Sequence, residues 1–154
     1  QSQKKENKND LAVTLFDEMV DHPRIRRVSR PHWNNKQYRS AVLDAQIELE
    51  NMVKEKAGYP KDNSGHELSG TRLMHKVFDV NDPYLKWSDL STRVLRDELD
   101  GYKFLFVGSV LGIRNPKAHL VFRQTPWRAL QLLVFTTLLA ELVDRCDYCK
   151  SEES

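Results

Sequence analysis

Gly101-Tyr-Lys-Phe-Leu-Phe-Val-Gly-Ser-Val-Leu-Gly-Ile-Arg-Asn-Pro-Lys-Ala-His119 decides both the fold and where its chemistry lies. From Tyr102 to Ile113 the run is apolar on nearly every side, the pattern of a helix buried from several directions. It ends in a short polar bend carrying Arg114, Asn115, Lys117 and His119. Proline drives the residue before it out of helical geometry, so Pro116 predicts a helix end or kink at Arg114–Asn115. Pro116 then opens a new turn with Asn115 as its cap. That leaves backbone N–H groups beside the Arg and His, an arrangement suited to an oxyanion or phosphate.

Working outward, helical periodicity is clearest between Asn35 and Lys56. Tyr38, Ala41, Val42, Ala45, Leu49, Met52 and Val53 form one stripe, and Gly58 and Pro60 end it. Glu48 lies at the stripe's edge and Glu50 further round; both read as solvent-facing charge, although either could brace Arg114. Residues 58–70 read as loop. Gly70–Phe78 reads as a short helix with Leu73, Met74, Val77 and Phe78 inward, and 84–100 as a charge-rich connection. Thr125 caps a last helix with Pro126 at its first position, running to about Tyr148. On the N-terminal side, Leu11–Val20 predicts a short helix with Leu11, Leu15, Phe16 and Met19 on one side. Residues 22–33, with Pro23 and Pro31, predict an extended loop, and residues 1–10 a polar disordered lead-in. The fold class expected is all-α: one bundle of four to five helices over residues 11–150. A first residue other than Met suggests a piece of a longer chain.

The 154 residues carry a net charge of +2, too little to argue for nucleic-acid binding. The distribution is uneven. Arg24, Arg26, Arg27 and Arg30 make a basic stripe that fits either RNA phosphates or a solvated surface. Cys146 and Cys149 lack the second pair that a zinc site needs and read as reduced thiols of a cytoplasmic protein. No membrane span is expected, because no uninterrupted run of about 18 apolar residues exists. Trp33, Trp87 and Trp127 read as core or interface filler before base-stacking platforms. The apolar surface of 102–113 exceeds what one core needs. Gly108 and Gly112 would admit a second backbone, although tight packing within one chain is the commoner use of such a pair.

Arg114 and His119 form an R-x4-H set. RNA can be cleaved by its own 2′-hydroxyl if one group moves protons and a cation holds the phosphate. His and Arg are suited to those two roles without a metal or cofactor. Arg27 and His32 match the same spacing, so spacing alone is not specific. Context favours 114–119: an apolar helix leads in and a polar Asn follows the Arg. Read from the residues alone, an Arg–carboxylate pair with a capping His is the favoured arrangement and a catalytic site the alternative.

The segment Glu98–His119 resembles the signature of the HEPN superfamily, and in particular its Ymh-like branch. Tyr38-Arg-Ser-Ala-Val-Leu-Asp-Ala, Leu49-Glu50, Ser69–Phe78 and the leucine-rich last helix agree with that branch, so the resemblance spans roughly Tyr38–Val143. It implies a helical, homodimeric, metal-independent endoribonuclease, a toxin or phage-defence effector leaving 2′,3′-cyclic phosphate and 5′-hydroxyl ends. It also implies roles: Arg114 steadies the phosphate, His119 transfers protons and Asn115 supports them. Lys117 is added on charge and proximity. An antitoxin or sensor domain is an expected partner. The alternative is a non-catalytic HEPN module that dimerises or binds nucleic acid or nucleotide for a larger protein. Leu120 stands where the branch often has an acidic residue. Val121 stands where adenylylated relatives carry Tyr, so silencing by that route is not expected.

Overall fold

A computed structural model describes residues 1–119 and 123–150; the His119 side chain lies outside the described set. The fold is all-α. Helices α1 (Ser2–Met19), α2 (Pro23–Asn34) and α3 (Tyr38–Lys56) are followed by α4 (Gly70–Val77) and α5 (Arg93–Ser109). A π-helical segment, Val110–Arg114, joins α5 to α6 (Asn115–His119), and α7 (Pro126–Arg145) closes the bundle. Two short strands, β1 (Leu85–Lys86) and β2 (Asp147–Tyr148), pair antiparallel with Leu85 opposite Tyr148.

The central layer is α3, which packs against α2 on one side and α7 on the other and also meets α4, α6 and the π segment. Its predicted stripe is buried: Ala41, Val42, Ala45, Leu49, Met52 and Val53 all lie in the core. Gln46 is buried and donates to Thr136 Oγ1 of α7 at 2.7 Å, so its amide nitrogen is satisfied. Helix α7 is apolar and long enough, by length and composition, to cross a membrane. Here its Leu133, Leu139 and Ala140 are fully buried against neighbouring helices.

Several expectations are corrected. Residues 2–10 are not a disordered lead-in but the first turns of α1. Most are exposed, and they continue a helix anchored by buried Ala12 and Phe16, with half-buried Asn9 accepting through Oδ1 from Trp127 N at 3.4 Å. Leu11 and Met19 fall on the solvent side. Segment 22–33 is helix rather than extended loop. Pro23 occupies its first turn, where no N–H is needed. Pro31 sits inside and removes one bond near the C-terminal end. Packing outweighs that loss: Ile25, Ser29 and Trp33 are buried at successive turns, and Trp33 stacks on Phe16 at 4.7 Å and meets Tyr38 edge-on at 4.9 Å.

In the 84–100 connection, Trp87 Nε1 donates to Leu142 O at 2.7 Å, and α5 begins at Arg93, well before the apolar run. Thr92 caps it, accepting from Leu95 N at 3.3 Å. The last helix stops at Arg145 so that β2 can pair with β1. Cys146 is buried, which pushes its thiol up to about 11, and Cys149 donates to the Pro83 and Tyr84 carbonyls. Both cysteines are free.

Candidate functional site

Helix α5 reaches the site as one half-buried rod. Phe106, Val107, Ser109 and Val110 face the core, where Phe106 meets Phe78 at 4.7 Å between ring centroids. The opposite side, expected to be buried, is open. Phe104 is 57 % exposed, Leu105 40 % and Leu111 57 %, and no described residue lies near a Cβ built on Gly101, Gly108 or Gly112. Gly108 and Gly112 therefore pack against no described residue.

The helix does not end at Arg114–Asn115. Asn115 keeps helical angles (φ −61°, ψ −46°) and its N–H bonds back five residues to Val110 O. Widening the helix by one residue over Val110–Arg114 accommodates Pro116, which has no N–H to return, without ending the rod. Asn115 is thus not a cap, and no fresh helix N-terminus lies beside the Arg. What the proline produces is a π bulge with Arg114 as its last residue.

Arg114 is partly exposed and its Nε lies 3.7 Å from Glu50 Oε2. That is an ion pair too long to be a hydrogen bond. Among the described residues its two terminal nitrogens have no partner. Glu50 is not solvent-facing: it is 4 % exposed, with Lys54 Nζ 3.4 Å from its other oxygen. Its Oε2 is buried and accepts no hydrogen bond from a described residue. Asn115 is half-buried and makes no side-chain hydrogen bond among the described residues.

Lys117, expected at a phosphate, is instead turned inward and only 4 % exposed. Burial, and then the neighbouring charge of Arg39, hold its pKa below the ordinary lysine value. Arg39 on α3 donates to the Lys117 main-chain carbonyl. Arg39 was missed in the sequence, where it is one more cation at a helix start. His119 closes α6, five residues after Arg114 and roughly 7 Å further along the axis at helical rise. Its side chain, with Leu120 and Val121, lies outside the described residues.

The competing Arg27–His32 match is accounted for by structure. Arg27 and Arg24 both reach Glu48 Oε1, at 3.1 and 2.7 Å, and Arg24 also grips both oxygens of Glu55. Arg26 donates to the Val20 and Asp17 carbonyls, and Arg30 pairs with Asp17. His32 Nε2 sits 2.6 Å from Asp44 Oδ2. All four arginines of the basic stripe therefore fasten α2 to α1 and α3. Trp33 is core, Trp87 is half-buried and Trp127 is half-buried near Lys8.

A cavity of about 730 Å³ lies between the 61–68 loop and α4, lined by Lys61, Asp62, Arg72, His75 and Lys76 among others. None of the predicted site residues lines it. Among the described residues no cluster of three or more His, Cys, Asp or Glu is placed to hold a metal ion.

Compared with known proteins, residues 20–143 match a family model described as "Protein of unknown function (Hypoth_ymh)". No curated protein and no solved structure matches the chain.

Proposed function

The chain belongs to the Hypoth_ymh family of proteins of unknown function, and within it we propose a metal-independent endoribonuclease of HEPN type, acting as a toxin or phage-defence effector. The observation that carries this reading is Arg114. A buried carboxylate faces one edge of its guanidinium at 3.7 Å, while the two-nitrogen fork that suits phosphate has no partner among the described residues. It sits on a π bulge, a distortion that recurs at functional sites.

In the reaction, the RNA 2′-hydroxyl attacks the adjacent phosphorus, its proton leaves and the bond to the 5′-oxygen breaks as that oxygen gains a proton. Arg114 neutralises charge building on the non-bridging oxygens, and His119 carries the protons. The products are a 2′,3′-cyclic phosphate and a 5′-hydroxyl, with no metal or cofactor taking part.

The open face of α5 supports a homodimer. Phe104, Leu105 and Leu111 form an apolar stripe with Gly108 and Gly112 between them, where a second α5 fits closely. Such a pairing would bring two Arg114–His119 ends toward one seam. The same face supports the second reading, a non-catalytic dimerising or nucleic-acid-binding module.

The test is incubation of purified protein with single-stranded RNA in excess EDTA. Cleavage that disappears in both Arg114→Ala and His119→Ala, with the helical circular dichroism unchanged, supports the enzyme. Binding of RNA without cleavage supports the module.

A further inference from the structure

We propose that Glu50 is the positioning residue for Arg114, a role that rests on the ribonuclease reading of the same site. Three observations converge on it. First, Glu50 is buried in the middle of α3, a place where a carboxylate is costly unless something repays its desolvation. Second, the groups beside it are cations from two elements: Lys54 one turn along α3 and Arg114 at the end of the π segment. Third, Lys54 engages only Oε1. Oε2, the oxygen turned to Arg114, is buried and accepts no hydrogen bond from a described residue. An orphaned buried acceptor is rare and asks for an explanation.

The geometry supplies one. Arg114 approaches Oε2 through Nε, the donor on the inner edge of the guanidinium. A carboxylate fixed there restrains the plane of the group and turns its terminal nitrogens outward as a pair. The separation of 3.7 Å is nearly 1 Å beyond a charge-assisted hydrogen bond. Contacts of this kind are often long in unliganded sites and shorten when substrate is bound. Phosphate drawing on the fork and Glu50 drawing on Nε would hold Arg114 from both sides. Glu50 itself touches no substrate. Its contribution is to the orientation of the cation as charge develops, so it acts on the chemical step more than on binding.

The test compares wild type, Glu50→Gln, Arg114→Ala and the double variant. Cleavage of a short single-stranded RNA is measured, together with binding of its 2′-O-methyl analogue, which lacks the attacking hydroxyl. Glu50→Gln is expected to lower kcat by about tenfold or more while analogue affinity stays within about twofold, and to add nothing to Arg114→Ala. If Glu50→Gln keeps wild-type kcat, the proposal is overturned.

A second readout needs no activity: nitrogen relaxation of the Arg114 Nε–H group by NMR. It is expected to be ordered in wild type and mobile in Glu50→Gln; equal order in both overturns the proposal. If wild type cuts no RNA, the ribonuclease reading falls, and the relaxation result still decides whether Glu50 positions Arg114. Should Glu50→Gln fail to fold, Glu50→Asp, which draws the carboxylate back by one methylene, is expected to give an intermediate loss on both readouts. Wild-type values in Glu50→Asp would overturn the proposal.

Discussion

Arg39, at the start of α3, donates through its guanidinium to the main-chain carbonyl of Lys117 on α6. This bond ties the far end of the α5–α6 rod to the central helix, and the candidate site lies at that end. Replacing Arg39 with Met is expected to leave the fold intact and to lower stability by about 1–2 kcal/mol. Faster amide exchange confined to α6 and the π segment, with reduced RNA cleavage, would show the tie at work. Unchanged exchange there would separate Arg39 from the site.

His32 and Asp44 join α2 to α3. Burial alone lowers the His32 pKa, but the hydrogen bonds to Asp44 and Gln37 outweigh it and raise the pKa above 6.5. A raised histidine pKa means that the folded state holds the proton more tightly than the unfolded chain. The stabilisation is complete below pH 6.5 and is lost as pH rises through the folded-state value. Because the pair is partly exposed, the effect is expected to be less than about 1 kcal/mol. Denaturant titrations from pH 5.5 to about 8.5 measure it. Asp44→Asn is expected to flatten that component.

The open face of α5 predicts self-association. Leu111→Arg is expected to convert a dimer to a monomer in sedimentation equilibrium without changing helical content, and to remove cleavage with it. Gly108→Ala offers a sharper comparison. No described neighbour within the chain obstructs the added methyl, so each monomer gains up to about 1 kcal/mol of helix stability. If a second backbone packs at Gly108, association weakens at the same time. A wild-type protein that sediments only as a monomer would remove the dimer from the account.

Phe106 anchors the rod between Phe78 and Trp87, at 4.7 and 6.4 Å between ring centroids. Phe106→Ala is expected to cost about 3–5 kcal/mol. Chemical denaturation measures this directly. A loss below about 1 kcal/mol would mean that α5 is held mainly elsewhere.

The central helix and α4 were legible because burial follows the helical period there, as Leu49, Val53, Leu73 and Val77 show. Segment 22–34 was not. Its prolines and arginines read as loop, and the forces that make it helix are long-range: Trp33 on Phe16, and Arg24 on Glu48 and Glu55. The start of α5 was hidden for the opposite reason, because Arg93–Glu98 is largely exposed and carries no stripe. At the site, the Arg114–His119 spacing and the singular character of the 101–119 segment were readable. The π bulge, the inward turn of Lys117 and the burial of Glu50 were not, since each depends on how α3 lies against the rod. Charge type identified Glu50 as a possible brace; only packing distinguishes it from Glu48, whose carboxylate takes Arg24 and Arg27 instead.

End-group analysis of RNA incubated with the protein in EDTA decides whether Arg114 and His119 cut RNA. Fragments ending in 2′,3′-cyclic phosphate and beginning with 5′-hydroxyl are expected from wild type and from neither Arg114→Ala nor His119→Ala. RNA left whole by a folded protein, or fragments with the same ends from the Arg114→Ala variant, would contradict it.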